Sequence, residues 1–82
     1  MSQEHIFEII VRTIYEVIPE LEGHALQPDD HLADLGANSL DRVEIVTMAL
    51  EALSLPTPRV ELSEAKSIAD LVRILYEKSQ CV

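Results

Sequence analysis

Eighty-two residues, 48% of them apolar, suffice for one small domain over residues 1–82 and leave no room for a second. A formal net charge of −9 argues against nucleic acid and anionic membranes as partners, because both require a basic surface, and it suits basic proteins instead. Phe7, Tyr15 and Tyr76 are the only aromatic residues, so a core has to be built from Ile, Leu, Val and Ala, a composition that favours helices.

The charge is unevenly placed. Residues 1–58 hold eleven acids against Arg12 and Arg42, whereas residues 59–82 hold four of each sign, so all the net charge falls in the first part. No apolar run approaches a membrane span and the N-terminus lacks the basic and apolar regions of a signal peptide, so a cytoplasmic protein is expected. Cys81, as the single cysteine, cannot form an internal disulfide.

In chain order, a first helix is expected from Gln3 to Ile18 with Ser2 as its cap, since Ile6, Phe7, Ile10, Ile14, Val17 and Ile18 recur at spacings of three and four. Pro19 ends it, and Gly23 suits a turn. Residues 19–38 then form a connection longer than packed helices usually need, with Leu21, Leu26, Leu32 and Leu35 placed to pin it to the core and Asp29-Asp30 to cap a turn ahead of Leu32. The crowd of Asp29, Asp30, Asp34, Asn38 and Asp41 invites a calcium reading. His31 and Ala33 stand at ligand positions and the required glycine is misplaced, so no metal site is expected. His5, His24 and His31 read as surface residues.

At Asp34-Leu35-Gly36-Ala37-Asn38-Ser39-Leu40 a glycine-bearing loop hands over to a second helix. Two caps compete there. With Asn38 as cap, Asp41 completes a capping box and the Ser39 hydroxyl is left free at the first helical position, beside N–H groups that favour an anion. Alternatively Ser39 is itself the cap. The helix runs to about Leu53, and a wheel at about 100° per residue gathers Val43, Ile45, Val46, Ala49, Leu50, Ala52 and Leu53 on a core arc. The opposite arc collects Leu40, Asp41, Glu44, Thr47, Met48 and Glu51. Arg42 falls within the core arc, and escapes by reaching past the helix end toward Asp30 or Asp34. Leu55-Pro56-Thr57-Pro58 breaks the chain, and a short helix from Pro58 to about Ala65 carries Arg59, Val60 and Leu62. The last helix has Ser67 as cap and Asp70 three residues on, a second capping box, followed by a stripe of Ile68, Leu71, Val72, Leu75 and Tyr76. The fold expected is all-α, an antiparallel helical bundle of three main helices plus one short one.

The stretch Asp34-Leu35-Gly36-Ala37-Asn38-Ser39-Leu40 resembles the phosphopantetheine attachment sequence of acyl carrier proteins, usually Asp-Leu-Gly-Xaa-Asp-Ser-Leu, and the likeness covers nearly the whole chain. It departs from that pattern in having Asn38 where Asp is common. The resemblance implies a carrier that is not an enzyme, with 4′-phosphopantetheine on Ser39 holding an acyl group as a thioester, modified by a phosphopantetheinyl transferase. It also makes the second helix the docking face for enzymes. Ile18-Pro19-Glu20-Leu21-Glu22, Ala37 to Glu44 and Leu53 to Leu62 further resemble stand-alone donor carriers of polyketide β-branching cassettes. Those carry acetyl, made by decarboxylating malonyl, to an enzyme similar to hydroxymethylglutaryl-CoA (HMG-CoA) synthase. An acyltransferase and a ketosynthase-like decarboxylase are then further partners. The implied partner contacts are Leu40, Asp41, Arg42, Glu44, Met48, Glu51, Arg59, Val60 and Leu62. Other readings are a general fatty-acid or polyketide carrier and an unmodified acidic adaptor for a basic partner.

Overall fold

The computed structural model describes residues 2–56, 62 and 65–80, and among these the chain is all-α. Helix α1 spans Gln3–Val17, α2 Ser39–Ala52 and α3 Ile68–Gln80. Ser2 caps α1 as expected, its hydroxyl accepting from the His5 N–H at 3.1 Å. The helix ends at Val17, one residue early, because Ile18 precedes a proline and is held out of the helical region at φ −127°, ψ 80°. Pro19 then opens a 3-10 turn over Pro19–Leu21, where its missing N–H is no loss.

α1 packs against both α2 and α3 and so forms the spine of the bundle. Its Ile6, Ile10 and Ile14 are fully buried, meeting a core that includes Ile45 and Leu50 of α2 and Ile68, Leu71 and Leu75 of α3. Thr13 is also buried, although it is polar. Its hydroxyl donates to the Ile9 carbonyl at 2.8 Å, so no donor is stranded.

The buried residues of α2 are Ile45, Val46, Ala49 and Leu50, which with the buried C-cap residue Leu53 span about 140° on the wheel. Val43 and Ala52 were expected in the core but lie just beyond the two edges of that arc, and both are exposed. Thr47, expected on the outer arc, is half-buried, and its hydroxyl oxygen is out of solvent with no hydrogen-bond partner among the described residues. The helix closes in a Schellman turn: the Leu55 N–H reaches the Leu50 carbonyl at 3.0 Å and the Ser54 N–H the Glu51 carbonyl at 3.1 Å. Ser54 takes the left-handed conformation there, φ 54°, a position where glycine is at ease.

The long connection is fastened to the start of α3 by backbone bonds. Leu32 N–H donates to the Lys66 carbonyl at 3.0 Å, Ile68 N–H to Asp30 at 3.0 Å and Ala69 N–H to Pro28 at 2.7 Å. Leu26 and Leu32 are buried beneath it, and Leu21 and Leu35 are half-buried. Asp30 does not cap the turn ahead of Leu32. Its carboxylate reaches back to accept from the Gln27 N–H at 2.8 Å, closing the turn behind it. At α3 the second capping box is present: Ser67 Oγ accepts from the Asp70 N–H at 3.1 Å, and Asp70 Oδ2 accepts from the Ser67 N–H at 3.3 Å.

The short helix expected from Pro58 falls mostly outside the described residues, and with it Arg59 and Val60. Leu62 is described, and corrects an expectation: at 2% exposure it belongs to the core and has no surface to offer a partner. A large apolar side chain is drawn inward by the area it can bury.

Candidate functional site

The loop before α2 is a compact turn built on one carbonyl. Leu32 O accepts from both Leu35 N–H and Ala37 N–H at 3.1 Å. Gly36 makes this possible with φ 93°, a region that side-chain-bearing residues rarely adopt. The turn buries Ala37 and delivers Asn38 in an extended conformation, φ −83°, ψ −177°, at the head of the helix.

Asn38 is therefore the cap. Its Oδ1 accepts from the Asp41 N–H at 2.8 Å, the Asp41 carboxylate accepts from the Asn38 N–H at 3.4 Å, and the Asn38 carbonyl accepts the first helical bond from Arg42 N–H at 3.0 Å. Of the two arrangements open in the sequence, this is the one that frees Ser39. Its hydroxyl stands exposed at the first helical position, with no capping duty.

Arg42 does not reach Asp30 or Asp34. Its Nη2 donates to Ser39 Oγ at 3.4 Å, a long contact between residues three apart. Side chains of a helix lean toward its N-terminus, so a residue at i+3 brings its head over the turn that begins the helix. Half-burial of Arg42 follows from its place on the core side of the wheel, where the stem packs while the charge stays at the rim.

Around Ser39 the structure gathers Leu40, Asp41, Arg42 and Glu44 within the first two turns. Leu40 is 80% exposed, a large apolar side chain left in water beside the hydroxyl. Val43, one turn on, is 44% exposed and extends that apolar spot, although the sequence placed it in the core. Its position at the edge of the apolar arc was the available signal. Met48 and Glu51 stand further along and instead line a groove between α1 and α2 with Ile9, Arg12 and Glu16.

Over residues 9–75 the chain matches the family described as the phosphopantetheine attachment site. It is 52% identical over 80 residues to the polyketide biosynthesis acyl carrier protein AcpK of Bacillus subtilis (strain 168), covering 98% of both chains. It is 30% identical over 78 residues to the acyl carrier protein of Prochlorococcus marinus (strain MIT 9515), covering 95% of this chain and 98% of that one. A chain in the crystal structure of the curacin biosynthetic pathway HMG synthase in complex with acetyl donor-ACP superposes with a TM-score of 0.88 and 44% identity, covering 92% of this chain and 96% of that one. The chain belongs to the acyl carrier proteins, a family that carries acyl groups and does not itself catalyse.

Its cofactor is 4′-phosphopantetheine, and the residues at the head of α2 fit such a group: a hydroxyl free of capping duty, exposed to solvent, with a guanidinium turned toward it. Among the described residues no helix is long and apolar enough to cross a membrane.

Proposed function

We propose that Ser39 is the attachment residue and that the chain is the donor carrier of a polyketide β-branching system, delivering acetyl, derived from malonyl, to an HMG-CoA synthase-like enzyme. The observation that carries the attachment assignment is the Asn38 cap, which leaves the Ser39 hydroxyl exposed and free of capping duty. When bound, the phosphopantetheine supplies a thiol on a flexible arm, where an acyl group is held as a thioester. Ser39 Oγ supplies the oxygen to which the arm is esterified, and Leu40, Asp41 and Glu44 surround it with an apolar contact and two acids that steer basic enzymes. The hydrogen-bond partner of Ser39 Oγ is a guanidinium, which cannot act as a base, in keeping with a carrier that relies on its partners for chemistry.

The donor role rests on the likeness to the donor-ACP of the curacin complex and to AcpK. It brings with it a phosphopantetheinyl transferase, an acyltransferase and a ketosynthase-like decarboxylase as further partners, all meeting a monomeric carrier in the cytoplasm. Arg59 and Val60 are assigned to partner choice, and Leu40, Asp41 and Glu44 to general reach.

Intact mass after incubation with a phosphopantetheinyl transferase and coenzyme A tests the first part. The chain should gain one phosphopantetheinyl group and Ser39→Ala none; a gain by that variant sinks the assignment. Loading rate and acetyl delivery to an HMG-CoA synthase-like enzyme test the second, with Arg59→Glu expected to slow delivery while loading holds. A chain that loads but delivers no faster than a fatty-acid carrier would be a general acyl carrier.

A further inference from the structure

We propose that Arg42 is the intramolecular counter-ion of the phosphodiester on Ser39, anchoring the root of the arm against the head of α2 in the free carrier. The inference rests on the assignment of Ser39 as the attachment residue. Three observations lead to it.

The first is direction: Nη2 stands 3.4 Å from the oxygen that the phosphorus would be bonded to, so the non-bridging phosphate oxygens enter the reach of the guanidinium. The second is the absence of a competitor. In a chain of fifteen acids, Arg42 has no carboxylate within 4.0 Å among the described residues, whereas Arg73 is paired with Asp70. It is also the only Lys or Arg between Arg12 and Arg59. The third is the capping pattern. Asn38 has taken the Asp41 N–H, but its side chain leaves the first-turn amides of Ser39 and Leu40 to face the same oxygens.

A guanidinium presents two parallel donors that match two oxygens of a phosphate, so the contact with a hydroxyl becomes a charge-assisted, bidentate one on modification. It needs no large movement of the side chain. Without Arg42, a fixed anion would be added to the part of the chain, residues 1–58, that already carries all the net negative charge. With it, the new charge is neutralised locally and the arm leaves the helix from the Arg42 side, while Leu40, about 160° away on the wheel, stays open to an enzyme.

The experiment is a thermodynamic cycle on four species: unmodified and modified wild type, and unmodified and modified Arg42→Gln, each verified by intact mass. Modification should lower the melting midpoint of Arg42→Gln relative to its effect on wild type by about 2–4 °C. That gap should close in about 0.5 M salt, where the screening length is a few ångströms. Arg42→Lys should recover part of it, and Arg12→Gln, the same charge change made on α1, should show none. In wild type alone, the Arg42 guanidinium nitrogen resonances and the phosphorus resonance should both shift between low and high salt.

Equal effects of modification in wild type and Arg42→Gln, with unmoved guanidinium resonances, overturn the pairing. A gap of the same size in Arg12→Gln overturns it too, since it reports only the field of the whole domain. Failure of wild type to gain mass at Ser39 overturns the attachment assignment, and the pairing with it.

Discussion

Exchanging the two residues at the head of α2 for alanine, one at a time, separates capping from attachment. Asn38→Ala removes the oxygen that accepts from the Asp41 N–H at 2.8 Å, so an exposed first-turn amide returns to water. Cap deletions of this kind cost about 1 kcal/mol, which in a domain of this size lowers the melting midpoint by about 4–8 °C. Ser39→Ala removes only the long contact with Arg42, and alanine is a better helix former than serine by a few tenths of a kcal/mol, so the midpoint should move by less than about 2 °C in either direction. Attachment should show the opposite order. Asn38→Ala should still accept a phosphopantetheinyl group and Ser39→Ala should not. Asn38→Asp is the control, since aspartate caps as well as asparagine and should hold the midpoint. Thermal melts with intact mass on the same samples decide it. Should Ser39→Ala lose 4 °C or more while Asn38→Ala loses nothing, the cap has been assigned to the wrong residue and Ser39 is not free.

Thr47→Val should raise stability by about 1 kcal/mol in urea unfolding, because it replaces a buried, unpartnered hydroxyl with a methyl of similar size; a loss would mean that the oxygen has a partner. Ser54→Gly should stabilise by about 0.5–1 kcal/mol through relief of the left-handed strain at the end of α2, and an unchanged melt would argue against that conformation. Asp70 is held below the usual carboxylate pKa, first by the Lys66 backbone N–H and then by that of Ser67, with smaller help from the Ser67 hydroxyl and Arg73. Its stabilisation is thus present above the unfolded-state value of about 4 and is lost as pH falls through the lower folded-state value. The melting difference between wild type and Asp70→Asn should accordingly shrink on acidification below about pH 4, and a difference that grew would contradict the depressed pKa.

The helices and two of their caps were legible because each is local chemistry. A hydroxyl at Ser2 or Ser67 finds an N–H three residues on, and spacings of three and four mark the buried stripes of α1 and α3. At α2 two good capping residues stood side by side. The choice between them depends on where the backbone stops being extended, which the Leu32 carbonyl and the positive φ of Gly36 determine from outside the helix. Arg42 was misjudged for a similar reason. Charge alone pointed it at Asp30 and Asp34, but the lean of a helical side chain decides which neighbours it can meet. Val43 turned outward because a wheel assigns directions without knowing how wide an arc the neighbouring elements will cover, and Leu62 turned inward although the resemblance had made it a partner contact.

The backbone bonds that join residues 28–32 to residues 66–69 divide the long connection into two materials. Its first part, around Gly23, is exposed, and an added Cβ at Gly23 meets nothing within 4 Å. A fluorophore, an affinity peptide or a fusion partner grafted there would hang in solvent and leave the bundle intact. Between Asp30 and Leu32 the same graft would prise the start of α3 from its seat, since the carbonyl of Asp30 and the amide of Leu32 are the stitches that hold it.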